Sequence, residues 1–542
     1  MDLNSKWSRP IRAASSGCAC GCAGARVAEN ARLSAFWAAI PGWGRWRRVA
    51  LALGIGAILS LGQMGDAAAR LLWVVAGLVL ALGASQHLNP KQAAWFGWTI
   101  GVAYFGITLR WIVEPFFVEP WRHGWMSPFA ILGMSGGLAL FWAAAFWAGT
   151  RGARAPGPRF TMIGAALLLA EFARAHVLSG FPWALLSYSM IGAPVDYLFA
   201  LIGPHGASAV LVSVSALAAF GVCRGRFLLW PGLAAASLAL AVGSLWMPTP
   251  TTDPAAPTVR LVQPNAPQHL KWDLEWIPVF FQRAVEATAT DPPPDVVIWP
   301  ETSVATLLRN ADPWLERMGE AGRGAPVLAG IQRWNPQAGY HNSAIVIETD
   351  GSVAALYDKQ HLVPFGEYVP LVWIFGKLGL TGVVDMAMGF APGTGSGTID
   401  VAGLGRARIL ICYEGIFPEE IIEDGPRPDV LVIMTNDAWF GTGPGPRQHL
   451  VQARARAIEQ GLPVLRAANT GISAVIDGRG RIGDRLALGQ GGFLDVQVSV
   501  PLPPTLYSRT GDWPVIVALL ATLGLAWIGG RRFRVDAAGT GG

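Results

Sequence analysis

Long apolar runs are the feature that most restricts how this chain can fold. Seven of them lie before residue 250, and an eighth lies close to the C-terminus. They cover residues 49–63, 71–86, 93–113, 127–148, 160–176, 195–223, 227–247 and 514–530. A helix needs about 20 apolar residues to cross a bilayer. Charged residues make up only 14% of the chain, against about 25% in soluble proteins. We therefore predict a polytopic membrane protein with about eight transmembrane helices.

Clusters of arginine between these runs indicate how the helices are oriented. One cluster precedes the first run, and the others follow the fourth, sixth and eighth runs. They consist of Arg45, Arg47, Arg48, Arg151, Arg154, Arg159, Arg224, Arg226, Arg531, Arg532 and Arg534. With eight helices, all four clusters fall on one side, which the positive-inside rule makes cytoplasmic. The stretch between the seventh and eighth helices then faces outward, which in a Gram-negative cell is the periplasm.

The two ends of the chain fall outside the predicted bundle, which we place at residues 46–247, and outside a C-terminal helix at 513–531. Residues 1–45 are predicted to be a disordered cytoplasmic leader, and residues 532–542 a cytoplasmic tail. Three of the five cysteines crowd into the leader, at Cys18, Cys20 and Cys22. A disulfide framework would spread its cysteines through a small domain, so none is inferred. No nearby His or Cys completes a metal-ligand set, and no metal site is predicted.

The net charge of +5 raises the question of an acidic partner such as nucleic acid. The positive residues fall mainly between apolar runs, where membrane topology explains them. The chain lacks a basic stretch with interleaved aromatic residues, as nucleic acid would require. Nucleic-acid binding is therefore not expected.

The outward-facing stretch differs in pattern from the rest of the chain. A proline-rich linker at 248–257 precedes short β-rich runs. These runs cover residues 259–263, 296–299, 327–331, 344–348, 409–412, 430–435 and 464–468. Helical stretches such as 276–289 and 448–460 separate several of them. Apolar strands that alternate with helices predict a layered α/β domain, here placed at residues 258–500.

Three polar side chains in this domain are candidates for catalysis. Cys412 ends an apolar run, and a thiolate held there can act as a nucleophile, although a buried structural Cys is the common alternative. Glu301 follows another apolar run and can act as a general base, unless it is a surface charge or a helix start. Lys359 lies in a segment rich in turn-forming and aromatic residues and can stabilise an oxyanion, unless it is a solvated lysine. His361 leaves a Cys–His pair open, but no Asn or Asp is clearly placed to orient it.

The order of these motifs resembles the nitrilase superfamily, whose members share an αββα sandwich and react through a cysteine acyl-enzyme. The motifs are Trp299-Pro300-Glu301, Asp358-Lys359 and Cys412-Tyr413-Glu414. Longer segments are similar to the apolipoprotein N-acyltransferase family. These segments are residues 261–265, 271–273, 359–370, 435–441 and 466–471, and in the apolar part residues 180–183 and 188–189 with Glu171 and Arg174. The resemblance covers nearly the whole chain from the first helix to the last.

The resemblance implies a function and a set of roles. A phospholipid is the expected acyl donor, and the N-terminal amine of a diacylglyceryl-modified apolipoprotein is the expected acceptor, in bacterial lipoprotein maturation. Cys412 is the nucleophile, Glu301 the general base and Lys359 the oxyanion stabiliser, with no cofactor. Further residues are expected to support the site. Glu367 and Glu414 would position Lys359 or the amine, and Asn342 would also contribute to the site. Tyr413 and Trp272 would line the acyl or head-group pocket. Trp439 and Phe440 would lie on a mobile loop near the bilayer.

Two other functions remain open at the level of sequence. A membrane-tethered amidase or nitrilase would share the three catalytic residues, but one anchoring helix would suffice for it. A lipid transporter or scaffold would carry buried charges or broken helices in its bundle. The few candidates for such charges are Arg110, Glu171 and Arg174, which lie near the ends of predicted helices.

Overall fold

The computed structural model describes residues 35–64, 67–153, 156–224, 229–370, 389–421 and 425–525. The predictions for the three leader cysteines, for residues 526–531 of the last helix and for the tail at 532–542 lie outside the described residues. The prediction of a disordered leader is wrong for residues 35–42, which are helical because Trp37 and Ile40 are buried against the membrane part.

Each apolar run forms a helix wherever the structure describes it. The membrane part contains α1 (Arg45–Leu61), α2 (Ala67–Ser85), α3 (Pro90–Thr108), α4 (Ser127–Gly152), α5 (Pro156–His176), α6 (Leu198–Arg224) and α7 (Leu229–Gly243). The third run is shorter than expected as a straight helix. It breaks after Thr108, and a 3-10 helix at Arg110–Phe117 follows at an angle of 48°. This bend turns Trp111 towards the α/β domain at residues 258–500, called the catalytic domain below. There Trp111 packs on Phe440.

Length and apolarity alone mark two helical stretches as able to cross a bilayer, at Pro120–Gly152 and Leu198–Cys223. The bent pair that begins with α3 makes a third if it counts as one span. Other apolar helices are shorter, at Ala69–Ser85, Pro231–Trp246 and Trp513–Leu525. The chain therefore has the helices of a membrane protein, whereas the count of eight spans stays a prediction.

Helix α6 is interrupted near its start. Gly203 has a φ of 66°, and Pro204 follows it. A Cβ at Gly203 would lie 2.1 Å from the ring of Tyr507, so only glycine fits both the backbone and the neighbouring side chain. Tyr507 belongs to a short helix just before the last apolar helix. The break therefore lets the C-terminal segment pack closely against α6.

Two of the three charges considered for a transport path, Glu171 and Arg174, form a local ion pair. Arg174 Nη2 lies 2.9 Å from Glu171 Oε2, and both side chains are buried. Arg174 also donates to the carbonyl oxygens of Phe181 and Trp183, at 2.5 and 2.8 Å. Trp142 donates its indole N–H to Glu171 at 2.7 Å. The pair thus holds the loop that follows α5 in place.

The catalytic domain is built on two facing sheets. The first has the order β13-β1-β2-β4-β5-β6, with β3 paired to β4, and the second has the order β12-β11-β10-β9-β8-β7. The strands of the first are β1 (Thr258–Gln263), β2 (Val296–Ile298), β3 (Val304–Leu307), β4 (Val327–Asn335), β5 (Gly339–Ile347), β6 (Val353–Asp358) and β13 (Gly492–Gln497). Those of the second are β7 (Thr398–Val401), β8 (Gly405–Ile411), β9 (Val430–Thr435), β10 (Val464–Ala468), β11 (Ala474–Ile476) and β12 (Ile482–Arg485).

Helices cover the outer faces of both sheets. Helices α8 (Ile277–Ala289) and α9 (Asp312–Gly322) bury residues such as Phe281 against the first sheet, and α10 (Gly445–Gln460) buries residues such as Leu450 against the second. Alternate apolar residues of the two sheets, Ile298 and Ile409 among them, form the core between the sheets. This is the αββα layering that the motifs predicted. Two further helices, α11 (Leu506–Thr510) and α12 (Trp513–Leu525), end the described chain.

Candidate active site

The three catalytic candidates come from the ends of three strands. Cys412 directly follows β8, Lys359 directly follows β6, and Glu301 lies three residues beyond β2. All three are buried, with exposed fractions of 6%, 1% and 7%. Cys412 has a φ of 53°, which is uncommon for a residue with a Cβ and marks a sharp turn out of the strand. Strand ends and one tight turn thus bring together residues that are distant in sequence.

Hydrogen bonds fix the carboxylate of Glu301 on both of its oxygens. Asn342 Nδ2 donates to Glu301 Oε1 at 2.8 Å, and the backbone N–H of Asn436 donates to Glu301 Oε2 at 2.8 Å. Lys359 Nζ lies 3.7 Å from Glu301 Oε1 and 2.9 Å from Glu367 Oε1. Asn342 Nδ2 also reaches Glu367 Oε1 at 3.2 Å. Two carboxylates, one amide and one ammonium therefore form a single buried network.

Burial and neighbouring charges together raise the pKa of both Cys412 and Lys359, which leaves the thiol neutral and the ammonium charged. Burial raises the pKa of the Cys412 thiol well above its usual range, and the carboxylate of Glu301 raises it further, against the opposing effects of Lys359 and Thr435. Burial alone would lower the pKa of Lys359, but Glu367, Glu301 and Cys412 outweigh it and raise that pKa. The resting site therefore holds a neutral thiol beside a permanent ammonium, and the thiol needs a base before it can react.

Glu414 acts through the backbone and does not contact Lys359 directly. Its Oε1 accepts from the backbone N–H of Gln360 and from the hydroxyl of Tyr357, each at 2.7 Å. Its Oε2 accepts from the backbone N–H of Ile411 at 2.7 Å. Burial raises the pKa of Glu414, partly offset by these bonds. One carboxylate thereby ties the residues beside Lys359 to the residue before Cys412.

Tyr413 and Trp272 occupy different surroundings. Tyr413 is buried, and its hydroxyl lies 3.4 Å from the carbonyl oxygen of Gly180 in the membrane part, while its ring packs edge-on against Phe417. Trp272 is 43% exposed and follows the buried Lys271. Tyr413 therefore lies where the catalytic domain meets the membrane part, and the pocket-lining roles of both residues stay predictions.

Phe440 is packed into an aromatic cluster, and the expectation that its segment is a mobile loop near the bilayer stays a prediction. Its ring centroid lies 4.7 Å from that of Trp111 and 5.5 Å from that of Trp183. Trp439, its neighbour in the 3-10 helix Asp437–Phe440, is half-buried. The bend after α3 brings Trp111 onto this segment. Phe440 thus helps to attach the catalytic domain to the membrane part.

The alternative nucleophile partner, His361, is engaged elsewhere. Its Nδ1 lies 2.6 Å from Glu420 Oε1, and its Nε2 lies 3.1 Å from the carbonyl oxygen of Ser179. Its ring stacks on Phe417 at 3.8 Å. Both ring nitrogens are therefore occupied by oxygen partners, and the geometry does not support a Cys–His pair.

Two groups of residues near the site were not identified from sequence. Lys271 donates from Nζ to the backbone carbonyl oxygen of Glu301 at 3.1 Å. Asp437 accepts from Thr435 at 2.9 Å and from Arg466 at 2.7 Å. The motifs 271–273 and 435–441 contain these residues, so the family resemblance was the only available signal.

Gln448 of α10 connects the two parts of the molecule. Its Oε1 accepts from the indole N–H groups of Trp111 and Trp183, at 3.1 and 2.9 Å, and its Nε2 donates to the carbonyl oxygen of Thr108 at 3.1 Å. All three partners belong to the membrane part. The position of the catalytic domain on the helices is therefore specified by hydrogen bonds as well as by apolar contact.

A cavity of about 690 Å³ opens beside the loop that carries Lys359. Its lining includes Ser179 of the membrane part and Gln360, Tyr368 and Glu414 of the catalytic domain. The cavity therefore lies at the junction of the membrane part and the catalytic domain, beside the backbone of Gln360, which is hydrogen-bonded to Glu414.

Comparison with known families defines the class of the catalytic domain. Residues 258–501 match the carbon-nitrogen hydrolase family model. The chain is thus a protein in which a carbon-nitrogen hydrolase domain is joined to membrane helices. Residues 55–217 match the model of the apolipoprotein N-acyltransferase N-terminal domain. A solved amidase from Nesterenkonia sp. is 18% identical, with a TM-score of 0.32, over 48% of this chain and 95% of that one.

Similarity to curated relatives extends over nearly the whole chain. An apolipoprotein N-acyltransferase of Allorhizobium ampelinum is 35% identical over 518 residues, which is 89% of this chain and 96% of that protein. Another, from Caulobacter vibrioides, is 35% identical over 90% of this chain and 95% of its own length. The chain belongs to the apolipoprotein N-acyltransferase family, and it is an N-acyltransferase. This membership favours acyl transfer over the tethered hydrolase and the transporter.

Proposed function

We propose that this enzyme transfers a fatty acyl chain from a phospholipid to the N-terminal α-amine of a diacylglyceryl-modified apolipoprotein. The observation that carries the proposal is the buried network in which Cys412, Glu301 and Lys359 meet, next to the junction with the membrane helices. The names of the relatives point to apolipoproteins as acceptors. A phospholipid is the acyl source at hand for a site that adjoins a bilayer.

The first half-reaction forms a thioester. Glu301 takes the proton from the Cys412 thiol, and the thiolate attacks the carbonyl carbon of a phospholipid acyl ester. Lys359 stabilises the negative charge on the carbonyl oxygen, as a preorganised cation in a buried site can do. The ester C–O bond then breaks, and Glu301 returns the proton to the departing oxygen, so that a lysophospholipid leaves. Asn342 and the amide of Asn436 keep the carboxylate in one orientation throughout.

The second half-reaction consumes the thioester. The free α-amine of the apolipoprotein attacks the acyl carbon, and Glu301 accepts a proton from the amine. The C–S bond breaks, and the proton returns to the sulfur of Cys412 while the amide product forms. The two halves share one base and one oxyanion site, which is the pattern of a ping-pong reaction.

Membrane attachment serves the substrates as well as the protein. We place seven helices in residues 46–247, a periplasmic catalytic domain at 258–500 and an eighth helix at 513–531, in the bacterial inner membrane. Both substrates carry acyl chains, and exposing a buried CH₂ group to water costs about 0.8 kcal/mol. A site at the outer surface of the bundle lets these chains enter from the lipid without crossing water.

Lysophospholipid release tests the proposal directly. The purified full chain is incubated with phospholipid, with and without a synthetic diacylglyceryl lipopeptide that has a free α-amine. We expect about one equivalent of lysophospholipid without the acceptor and continuous release with it. Continuous release without the lipopeptide would instead identify a hydrolase that uses water.

A further inference from the structure

Lys271 is a buried cation at the catalytic network that the reaction scheme does not use. Only 5% of the residue is exposed, and its Nζ donates to the carbonyl oxygen of Glu301 at 3.1 Å. An ammonium carries three protons. Among the residues that the structure describes, this carbonyl oxygen is the one hydrogen-bond acceptor for Nζ. Two protons therefore remain available to negative charge that arises at the site.

Without Lys271, the buried network around Glu301 contains more negative groups than positive groups. Glu301 and Glu367 supply two carboxylates, and Lys359 supplies one ammonium. A buried group of charges with an excess of one sign is costly, because each ion has lost its hydration. Lys271 brings the count to two positive and two negative groups. When Glu301 takes the thiol proton, Glu301 becomes neutral and Cys412 becomes negative. The reactive state therefore also has two positive and two negative groups.

We propose that Lys271 is a second cationic positioning residue of the acyl-transfer site: it fixes the backbone of Glu301 and stabilises the thiolate of Cys412. Lys359 is held between two carboxylates at 2.9 and 3.7 Å, so much of its charge is already compensated. Lys271 contacts a neutral carbonyl oxygen, and its charge is therefore less compensated. The inference rests on the proposed function of Cys412 as the nucleophile.

The protonation of Lys271 gives the proposal a characteristic pH dependence. Burial lowers the pKa of Lys271 to about 8, although Glu301 and Cys412 act to raise it. Besides those two groups, Lys359 and Glu367 belong to the same network, and the carboxylate of Asp437 also raises the pKa of Cys412. Lys271 is thus a cation below about pH 8 and loses its proton above that pH. Its stabilisation of the thiolate should be present at pH 7 and fade at pH 9.

Alkylation of Cys412 by iodoacetamide measures thiolate formation without any lipid substrate. The full chain in detergent is treated between pH 6.5 and 9.5, and the modified Cys412 peptide is quantified by mass spectrometry. We compare wild type with Lys271→Met, Lys271→Arg and, as a matched control, Lys91→Met on the exposed start of α3. Alkylation of the buried Cys223 in the same samples reports unfolding.

We expect Lys271→Met to slow the alkylation of Cys412 at least about tenfold at pH 7, which corresponds to one pKa unit or more. The difference should narrow above pH 8, Lys271→Arg should recover part of the rate, and Lys91→Met should match wild type. Equal rates for Lys271→Met and wild type at pH 7 would overturn the proposal, as would an equal deficit at every pH. Faster labelling of both cysteines would show that Lys271 serves the fold alone, which also overturns it. If wild type forms no acyl adduct with phospholipid, the proposed function fails, whereas equal alkylation of wild type and Lys271→Met overturns only the role of Lys271, so the two failures are distinguishable.

Discussion

Replacing Glu367 by Gln tests whether Glu367 and Glu301 compete for the ammonium group of Lys359. At an effective dielectric constant of about 20, a unit charge pair gains about 6 kcal/mol at the 2.9 Å of Lys359–Glu367 and about 4.5 kcal/mol at the 3.7 Å of Lys359–Glu301. Without the charge of Glu367, we expect Lys359 to move closer to Glu301. Closing that distance to about 2.9 Å would stabilise the ionised carboxylate of Glu301 by about 1 kcal/mol more.

A more stable carboxylate is a weaker base. An increase of about 1.36 kcal/mol in the activation free energy lowers a rate about tenfold. Glu367→Gln should therefore slow acylation of Cys412 by about five- to tenfold, while the amide keeps a partner for Asn342. The assay is the single-turnover rate of adduct formation with phospholipid. Glu420→Gln is the matched control, because Glu420 pairs with His361 outside the network. A Glu367→Gln rate within twofold of wild type, with unchanged thermal stability, would refute the argument.

Three further predictions concern the oxyanion site, the junction and the topology. Lys359→Ala should reduce acylation by at least about 10²- to 10³-fold, and Lys359→Arg should also fail because a planar guanidinium does not replace a compact ammonium; normal acylation by Lys359→Arg would show that any positive charge suffices. Gln448→Leu leaves the indole N–H groups of Trp111 and Trp183 without their acceptor, at about 1–3 kcal/mol each, so the melting temperature in detergent should fall clearly below that of the exposed Gln337→Leu control. A reporter that is active only in the periplasm should be active when fused at Pro254, whereas activity of a cytoplasmic reporter there would contradict the proposed orientation.

Sequence patterns predicted the fully buried strands well and the partly exposed strands poorly. Strands β2 and β9 are buried along their length, so they read as continuous apolar runs. Strand β6 is exposed over its first half, and the second half of β4 is only partly buried. Mixed exposure removes the continuous apolar pattern, and the runs found from sequence therefore stopped short of the real sheet.

The membrane part shows a similar limit. Hydropathy located the long apolar helices that the structure describes, but it missed the helical residues 35–39 and could not show that the third run bends after Thr108. In the bent arrangement Trp111 is hydrogen-bonded to Gln448, which lies 337 residues away in the chain. Local periodicity contains no information on such a contact.

Within the site, motifs identified the residues to which we assign the chemistry, and the tertiary structure showed their hydrogen-bond partners. Lys271 received no role because its contact with Glu301 arises only when the loop after β1 folds over the end of β2. Glu414 was expected to position Lys359 or the amine, and its oxygens accept from the Tyr357 hydroxyl and from the backbone N–H groups of Gln360 and Ile411. The type of residue was informative in both cases, whereas the direction of its side chain was not.

The most direct test of the account is the mass of the protein after incubation with phospholipid in the absence of an acceptor. We predict a mass increase of one acyl chain, located by peptide mapping on Cys412 and removed when a diacylglyceryl lipopeptide is added. Cys412→Ala should show no increase, and Cys412→Ser should show almost none, because Glu301 is too weak a base for an alcohol. An acyl chain on another residue, or full turnover by Cys412→Ala, would contradict the central claim that this thiol carries the acyl group.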